Sequence, residues 1–182
     1  MKIISQIMEA RHLINQGGII AYPTEAVYGL GCDPFNQQAV KRILAIKQRP
    51  FSKGLIVLIA DWSQLELLVS HIESDLLVKV KETWPGAVTW VFPKAKTVHQ
   101  YLSGEQDSIA IRMSAHPIAR VLCADGPIVS TSANISGHNP AMDIAELMRQ
   151  FPQGIDACLS GDLGGANQPS SIYDVLNGQR LR

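Results

Sequence analysis

Paired cysteines are missing from this sequence of 182 residues: Cys32, Cys123 and Cys158 are odd in number, far apart and form no CxxC. That pattern argues against a disulfide framework and a structural zinc site. The five histidines show no metal-ligand spacing. Neither sign of charge is in excess, because sixteen basic and sixteen acidic side chains cancel. No global field would hold a polyanion, and any nucleic-acid contact must come from a local patch. Long hydrophobic runs are absent too. The longest, Leu55 to Ala60, is far too short for a bilayer, and the N-terminal MKIISQIMEARH is interrupted by Ser5, Gln6, Glu9 and Arg11, leaving no signal-peptide core. A soluble, cytoplasmic protein is expected.

Several familiar site motifs are also lacking. There is no GxxxxGK[ST], GxGxxG or GxSxG, and no motif pairs a serine or cysteine with a histidine base. No repeat, low-complexity segment or linker divides the chain. With 46% hydrophobic residues it can close one substantial core, so residues 1–182 are expected to form one domain.

What is present centres on Tyr22 to Asp33, YPTEAVYGLGCD, after the apolar run Gly18-Ile19-Ile20-Ala21. A β-branched run that breaks into Pro23, Thr24, Glu25, Gly29 and Gly31 reads as a buried strand delivering a polar loop to the rim of a sheet. Its glycines would permit positive φ there. Helices are expected from Ser5 to Gly17, from an Asn36 cap through Val40, Ile43 and Leu44, from an Asp61 cap through Leu68, from Ser74 to Pro85, over Pro117 to Ala124, and after an Asp143 cap. Strands are expected at Leu55 to Ala60, Ala87 to Phe92, Ser108 to Met113 and Pro127 to Ser130, with Ile155 to Leu159 and Ile172 to Leu176 closing the sheet. Strands alternating with helices in this way give an α/β fold, a three-layer domain around a twisted mixed β-sheet.

Three clusters carry chemistry. Lys41, Arg42, Lys47, Arg49 and Lys53 lie between Asp33 and Asp61 with no acid among them, the one strong charge asymmetry in the chain. Lys47 prolongs the buried stripe of its helix, so it either snorkels to solvent or points into a cleft. Pro50 disfavours helix at Arg49, which makes KQRP a bend. The second cluster is the loop TSANISGHNP, where Ser130, Thr131, Ser132, Asn134, Ser136 and Asn139 crowd hydroxyl and amide groups suited to oxyanions. The third is Arg112, inside a strand and on the face opposite Ile109 and Ile111. Together these groups can bind a polyphosphate and a carboxylate at once.

PTEAVYGLGCDP, the K-x-R of Lys47 and Arg49, and the S-x-N of Ser132 and Asn134 resemble, in order and spacing, the YrdC-like threonylcarbamoyl-AMP synthases, and most closely their short bacterial form. The resemblance covers essentially the whole chain and implies the YrdC-like fold. It also implies a reaction in which L-threonine, bicarbonate and ATP give threonylcarbamoyl-AMP and pyrophosphate. The product would supply tRNA threonylcarbamoyladenosine beside the anticodon through downstream partner proteins.

By the same resemblance Lys47 and Arg49 are catalytic and bind phosphate. Ser132, Asn134 and Arg182 contact the nucleotide, and Thr89 and Pro140 align with further nucleotide contacts. Thr24, Arg112, Ser130 and Ser170 fall at positions that hold threonine, with Arg112 the partner of its carboxylate. Magnesium is implied with the triphosphate, and no carboxylate stands out as its ligand. Two departures are visible. Longer relatives carry a histidine where this chain has Lys53-Gly54-Leu55, and STSAN lacks the proline that many members place before the serine. The competing class is a non-catalytic RNA-binding protein of tRNA or ribosome maturation using the Lys41 to Lys53 patch. Zero net charge and the absence of an RRM or KH signature allow at most weak RNA binding.

Overall fold

The computed structural model describes residues 1–182. Nine strands form one mixed sheet: β1 (Lys2–Ile4), β2 (Ile20–Pro23), β3 (Tyr28–Gly31), β4 (Ile56–Ile59), β5 (Val88–Pro93), β6 (Ser108–Met113), β7 (Ile128–Ser132), β8 (Ala157–Leu159) and β9 (Ser171–Asp174). Their order is β1-β8-β2-β3-β7-β4-β6-β5-β9. Six helices flank it: α1 (Ile7–Asn15), α2 (Gln37–Ile46), α3 (Val78–Thr83), α4 (Gln100–Ser103), α5 (Pro117–Leu122) and α6 (Ile144–Gln150). None is long and apolar enough to cross a membrane.

The alternation of side chains along each strand sorts the interior into two cores. On one face Leu30, Val57, Ile109, Ile111 and Val129 meet Val40 and Ile43 of α2, Val80 of α3, Leu102 of α4 and Leu147 of α6 in a cluster of 31 buried residues. On the other, Ile20, Tyr22, Leu58 and Ile128 meet Ala10 and Ile14 of α1 and Ala119 and Leu122 of α5 in a cluster of only 12. The sheet is thus the middle of three layers. Its second face is covered by two short helices.

The caps act where the sequence places them. The Asn36 side chain accepts from the backbone amides of Gln38 and Ala39 at the start of α2, and Asp143 accepts from Glu146 at the start of α6. Asp61 likewise caps its helix, but that segment winds as a 3₁₀ helix over Trp62–Leu67, and another 3₁₀ turn, Ser74–Leu77, precedes α3.

The stretch from Tyr22 to Asp33 differs from expectation. Tyr28–Gly31 is a strand, paired antiparallel with β2 so that Pro23 faces Tyr28, and only Thr24 to Val27 remain as loop. Neither Gly29 nor Gly31 takes a positive φ. The Gly31 requirement is room: a Cβ there would lie 2.7 Å from the Val129 carbonyl oxygen and 2.9 Å from the Tyr22 ring. β1 was not expected at all. β8, expected to close the sheet, instead lies within it, parallel to β1 on one side and to β2 on the other.

Candidate active site

Beyond the reach of α1 and α5, the second face of the sheet is left open, and the strand registers decide what floors it. Ile56 of β4 pairs with Ser130 of β7, and Leu58 pairs with Arg112 of β6, so these side chains share that face. Ser132, two residues beyond Ser130, shares it too. The loop Thr24 to Val27 forms one wall of the resulting cleft; Arg49 and Arg182 stand at its rim with Gln168, Pro169 and Ser170.

Each polar group is held by a local contact. The Tyr22 hydroxyl donates to Ser130 Oγ at 2.8 Å, and the Thr24 hydroxyl donates to the Val27 carbonyl at 2.7 Å. Arg49 donates from Nε and Nη2 to the Gly54 carbonyl at 3.1 and 2.9 Å, and Arg182 Nη2 donates to the Ser170 carbonyl at 2.9 Å. The bend at KQRP is made by Gln48, whose φ of 48° is left-handed. It sends Arg49 toward the cleft while Lys47 stays beneath α2.

Lys47 does not snorkel. It is 2% exposed, and its Nζ donates to the Ser132 carbonyl, to the Asn134 carbonyl at 2.8 Å and toward Asn134 Oδ1 at 3.4 Å. Burial, helped by the nearby Arg49 guanidinium, pushes its amine down to about 7. Ser132 Oγ donates to Asn134 Oδ1 at 2.6 Å, so one buried amine and one hydroxyl fix the S-x-N turn from behind. Thr89 is fully buried and shares a 2.9 Å hydrogen bond with Ser170 Oγ, again from behind the wall.

The cleft is cationic. Burial holds Arg49 and Arg182 below the ordinary guanidinium range, and repulsion adds to it, from Arg182 on Arg49 and from Arg112 on Arg182. Glu25 is the one carboxylate in the lining. Its Oε1 lies 2.6 Å from Arg112 Nη2 and accepts from Ser114 Oγ at 2.7 Å and from the Ala115 amide at 3.1 Å. Burial works to raise its carboxyl, but Arg112 and these hydrogen bonds outweigh it and hold the group below the usual carboxylate range.

Of the eleven expected site residues, Thr24, Arg49, Arg112, Ser130, Ser132, Ser170 and Arg182 line one cleft. Lys47, Asn134 and Thr89 stand behind it as supports. Pro140 is not brought there: it borders a neighbouring depression with Asn139, Met142 and Glu146, and Val27 separates the two. Lys53 is exposed and does not line the cleft; only its backbone carbonyl faces Arg49 Nη2, at 3.5 Å. Sequence reasoning gave no role to Glu25, Ser114 or Gln168. Glu25 sat in full view within the PTEA motif, but nothing in the sequence pairs it with Arg112, 87 positions further on.

An open sheet face ringed by guanidiniums and short hydroxyls defines an α/β protein with a cleft whose chemistry suits anions. The chain belongs to the Sua5, YciO and YrdC family, whose model, described as telomere recombination, matches residues 12–182. It is 46% identical over 178 residues to a threonylcarbamoyl-AMP synthase of Coxiella burnetii, covering 97% of this chain and 96% of that one. Against the synthase of Pseudoalteromonas translucida the identity is 48% over 182 residues, covering 98% and 97%. The crystal structure of P. abyssi Sua5 complexed with L-threonine superposes with a TM-score of 0.89 at 33% identity. The match covers 98% of this chain and 55% of that protein, so this chain spans about half its length.

Proposed function

We propose that this chain is an L-threonylcarbamoyladenylate synthase, converting L-threonine, bicarbonate and ATP to threonylcarbamoyl-AMP and pyrophosphate. The observation that carries the reading is a single cleft that gathers Arg49, Arg112 and Arg182 with the hydroxyls of Thr24, Ser130, Ser132 and Ser170. Relatives named for this reaction, at 46–48% identity over nearly the full chain, support it. None of the comparisons favours a non-catalytic RNA-binding protein.

The chemistry asks for two anions held face to face. Threonine's amine takes up carbon dioxide from bicarbonate as a carbamate. A carbamate oxygen then attacks the α-phosphorus of ATP, and pyrophosphate leaves with the electrons of the broken P–O bond. Fixed cations offset the mutual repulsion and the charge that develops on the leaving group. Arg49 and Arg182, at the rim, hold the triphosphate; Ser132 meets the nucleotide on a turn pinned by Lys47 and Asn134. Arg112 takes the threonine carboxylate, while Thr24, Ser130 and Ser170, the last oriented by Thr89, supply hydroxyl partners. Pro140 borders the adjoining depression, which shares Val27 with the cleft.

The donor set does not fit a resident metal. Glu25 is the cleft's one carboxylate and it is engaged with Arg112, and no group of three His, Cys, Asp or Glu side chains gathers anywhere in the chain. Magnesium enters as part of the ATP substrate. The remaining elements of the reading are action of residues 1–182 as one unit, a cytoplasmic location, weak contact with RNA, and transfer of the product to tRNA by partner proteins.

The test is pyrophosphate release with threonine, bicarbonate and ATP left out in turn and no RNA present. Release that needs all three is expected. Full-rate release without threonine, or a requirement for tRNA, overturns the reading.

A further inference from the structure

The cleft poses an electrostatic problem for an amino acid. Arg49, Arg112 and Arg182 suit phosphates and a carboxylate, but they repel the ammonium group that an amino acid carries beside that carboxylate. Something anionic in the lining has to offset them, and Glu25 is the one candidate. Its two oxygens are not used alike. Oε1 accepts from Ser114 and from the Ala115 amide and lies 2.6 Å from Arg112 Nη2, whereas Oε2 is buried with no hydrogen-bond partner, as is Arg112 Nη2 itself. An orphaned carboxylate oxygen in a part-buried site is uncommon and costly unless something completes it. Ser114 and the Ala115 amide fix the carboxylate from behind, which leaves Oε2 as its free valence.

We infer that Glu25 is the receptor for the substrate's α-ammonium group, and that the Arg112–Glu25 ion pair is the template onto which a zwitterion docks, carboxylate to guanidinium and ammonium to carboxylate. The inference rests on threonine being the substrate. It adds a function for the ion pair: each half of the pair is matched by the opposite charge of the ligand, so the charges remain balanced when the cleft fills. It also fixes the position of the nitrogen that becomes carbamoylated, because Glu25 holds that nitrogen at a defined edge of the cleft while Arg112 holds the carboxylate. A hydroxy acid of the same shape brings only the negative half and meets Glu25 as a like charge.

The experiment compares threonine with 3-hydroxybutyrate, which is threonine without its amine, by titration calorimetry on the intact protein. For the wild type, threonine is expected to bind about 30-fold or more tightly than 3-hydroxybutyrate. Glu25→Gln, whose amide oxygen still accepts from Ser114 and Ala115, should lose that discrimination, weakening threonine about 30-fold while leaving 3-hydroxybutyrate within about 3-fold or improving it. Glu25→Asp should recover part of the preference. Equal losses for both ligands would reduce Glu25 to a support for Arg112 and overturn the inference, as would unchanged threonine binding.

A measurement on the wild type alone guards against a variant that fails to fold. Because a bound carboxylate beside Glu25 raises its hold on a proton, 3-hydroxybutyrate should bind with a proton uptake that grows as the pH falls toward the carboxylate range, read from two buffers of different ionisation heat. Threonine, which brings its own positive charge, should not. Identical uptake for both ligands overturns the inference. A wild type that binds neither threonine nor 3-hydroxybutyrate fails the synthase reading itself, whereas synthase activity with an indifferent Glu25→Gln fails only this one.

Discussion

The two faces of the sheet are made from alternate residues of the same strands. On β6, Ile109, Ile111 and Met113 point into the larger core, and Arg112 between them points into the cleft. One face is sealed by α2, α3, α4 and α6; the other is sealed only as far as α1 and α5 extend. A site therefore needs no separate scaffold here. It arises where a sheet that is covered on both sides elsewhere loses one cover, and where hydroxyls and guanidiniums join Ile56 and Leu58 on the uncovered face. If that division holds, substitutions on the two faces should separate cleanly into effects on rate and effects on stability.

The largest effect should come from Arg49→Ala, which removes a charge from the cleft rim. Turnover should fall about 10²- to 10³-fold, while the thermal melting temperature stays within a degree or two. Lys47→Ala should slow pyrophosphate release comparably by a different route, by freeing the Ser132 to Asn134 turn. A near-normal rate for both would break the assignment of the cleft as the catalytic face. Next, Arg112→Ala should raise the KM for threonine about 30-fold or more and leave the KM for ATP within about 3-fold. Steady-state kinetics with each substrate varied would show it, and equal shifts would detach Arg112 from the carboxylate.

A pH series sharpens the role of Lys47. Its amine, pushed down to about 7 in the empty site, loses its proton as the pH rises above that value. A bound polyphosphate favours the ammonium, so ATP binding should take up a proton above pH 7 and weaken by up to about tenfold per pH unit there. Below pH 7 the affinity should be flat. Calorimetry in paired buffers reads both, and the same series on Lys47→Ala should lack the uptake. The smallest effect tests the sealed face: Ile111→Val, one residue from Arg112, should cost about 0.5 to 1.5 kcal/mol of stability in urea unfolding and leave kcat/KM within about twofold.

Much of this division was legible in the sequence. The apolar-in, arginine-out alternation of β6, the Asn36 and Asp143 caps, and the bend at KQRP each rest on a local rule, and the structure follows them. What was illegible depended on distant neighbours. Gly29 and Gly31 read as loop residues because glycine is the usual mark of positive φ; the actual cause at Gly31, a lack of room against Tyr22 and the Val129 carbonyl, exists only after β2, β3 and β7 have met. Lys47 could have gone either way along its helix, and the carbonyls of Ser132 and Asn134, which decide the matter, lie 85 or more positions on. β1 escaped notice because its three residues are mostly exposed and its one neighbour is β8. Glu25 had no visible partner, and Pro140 was aligned by the family resemblance, which says nothing of the depression a residue borders.

The position of β8 has a bearing on how the molecule comes into being. A strand that begins at Ala157 is slotted between two strands that end by Pro23, and it bonds to both. During synthesis the strands β1 and β2 leave the ribosome with a gap beside β2 that nothing can fill until the chain has been made as far as Leu159. The edge of β2 is unpaired for that interval, open to association with other nascent chains. Folding therefore has to finish in a late, long-range step, slow in the manner of non-local strand pairing.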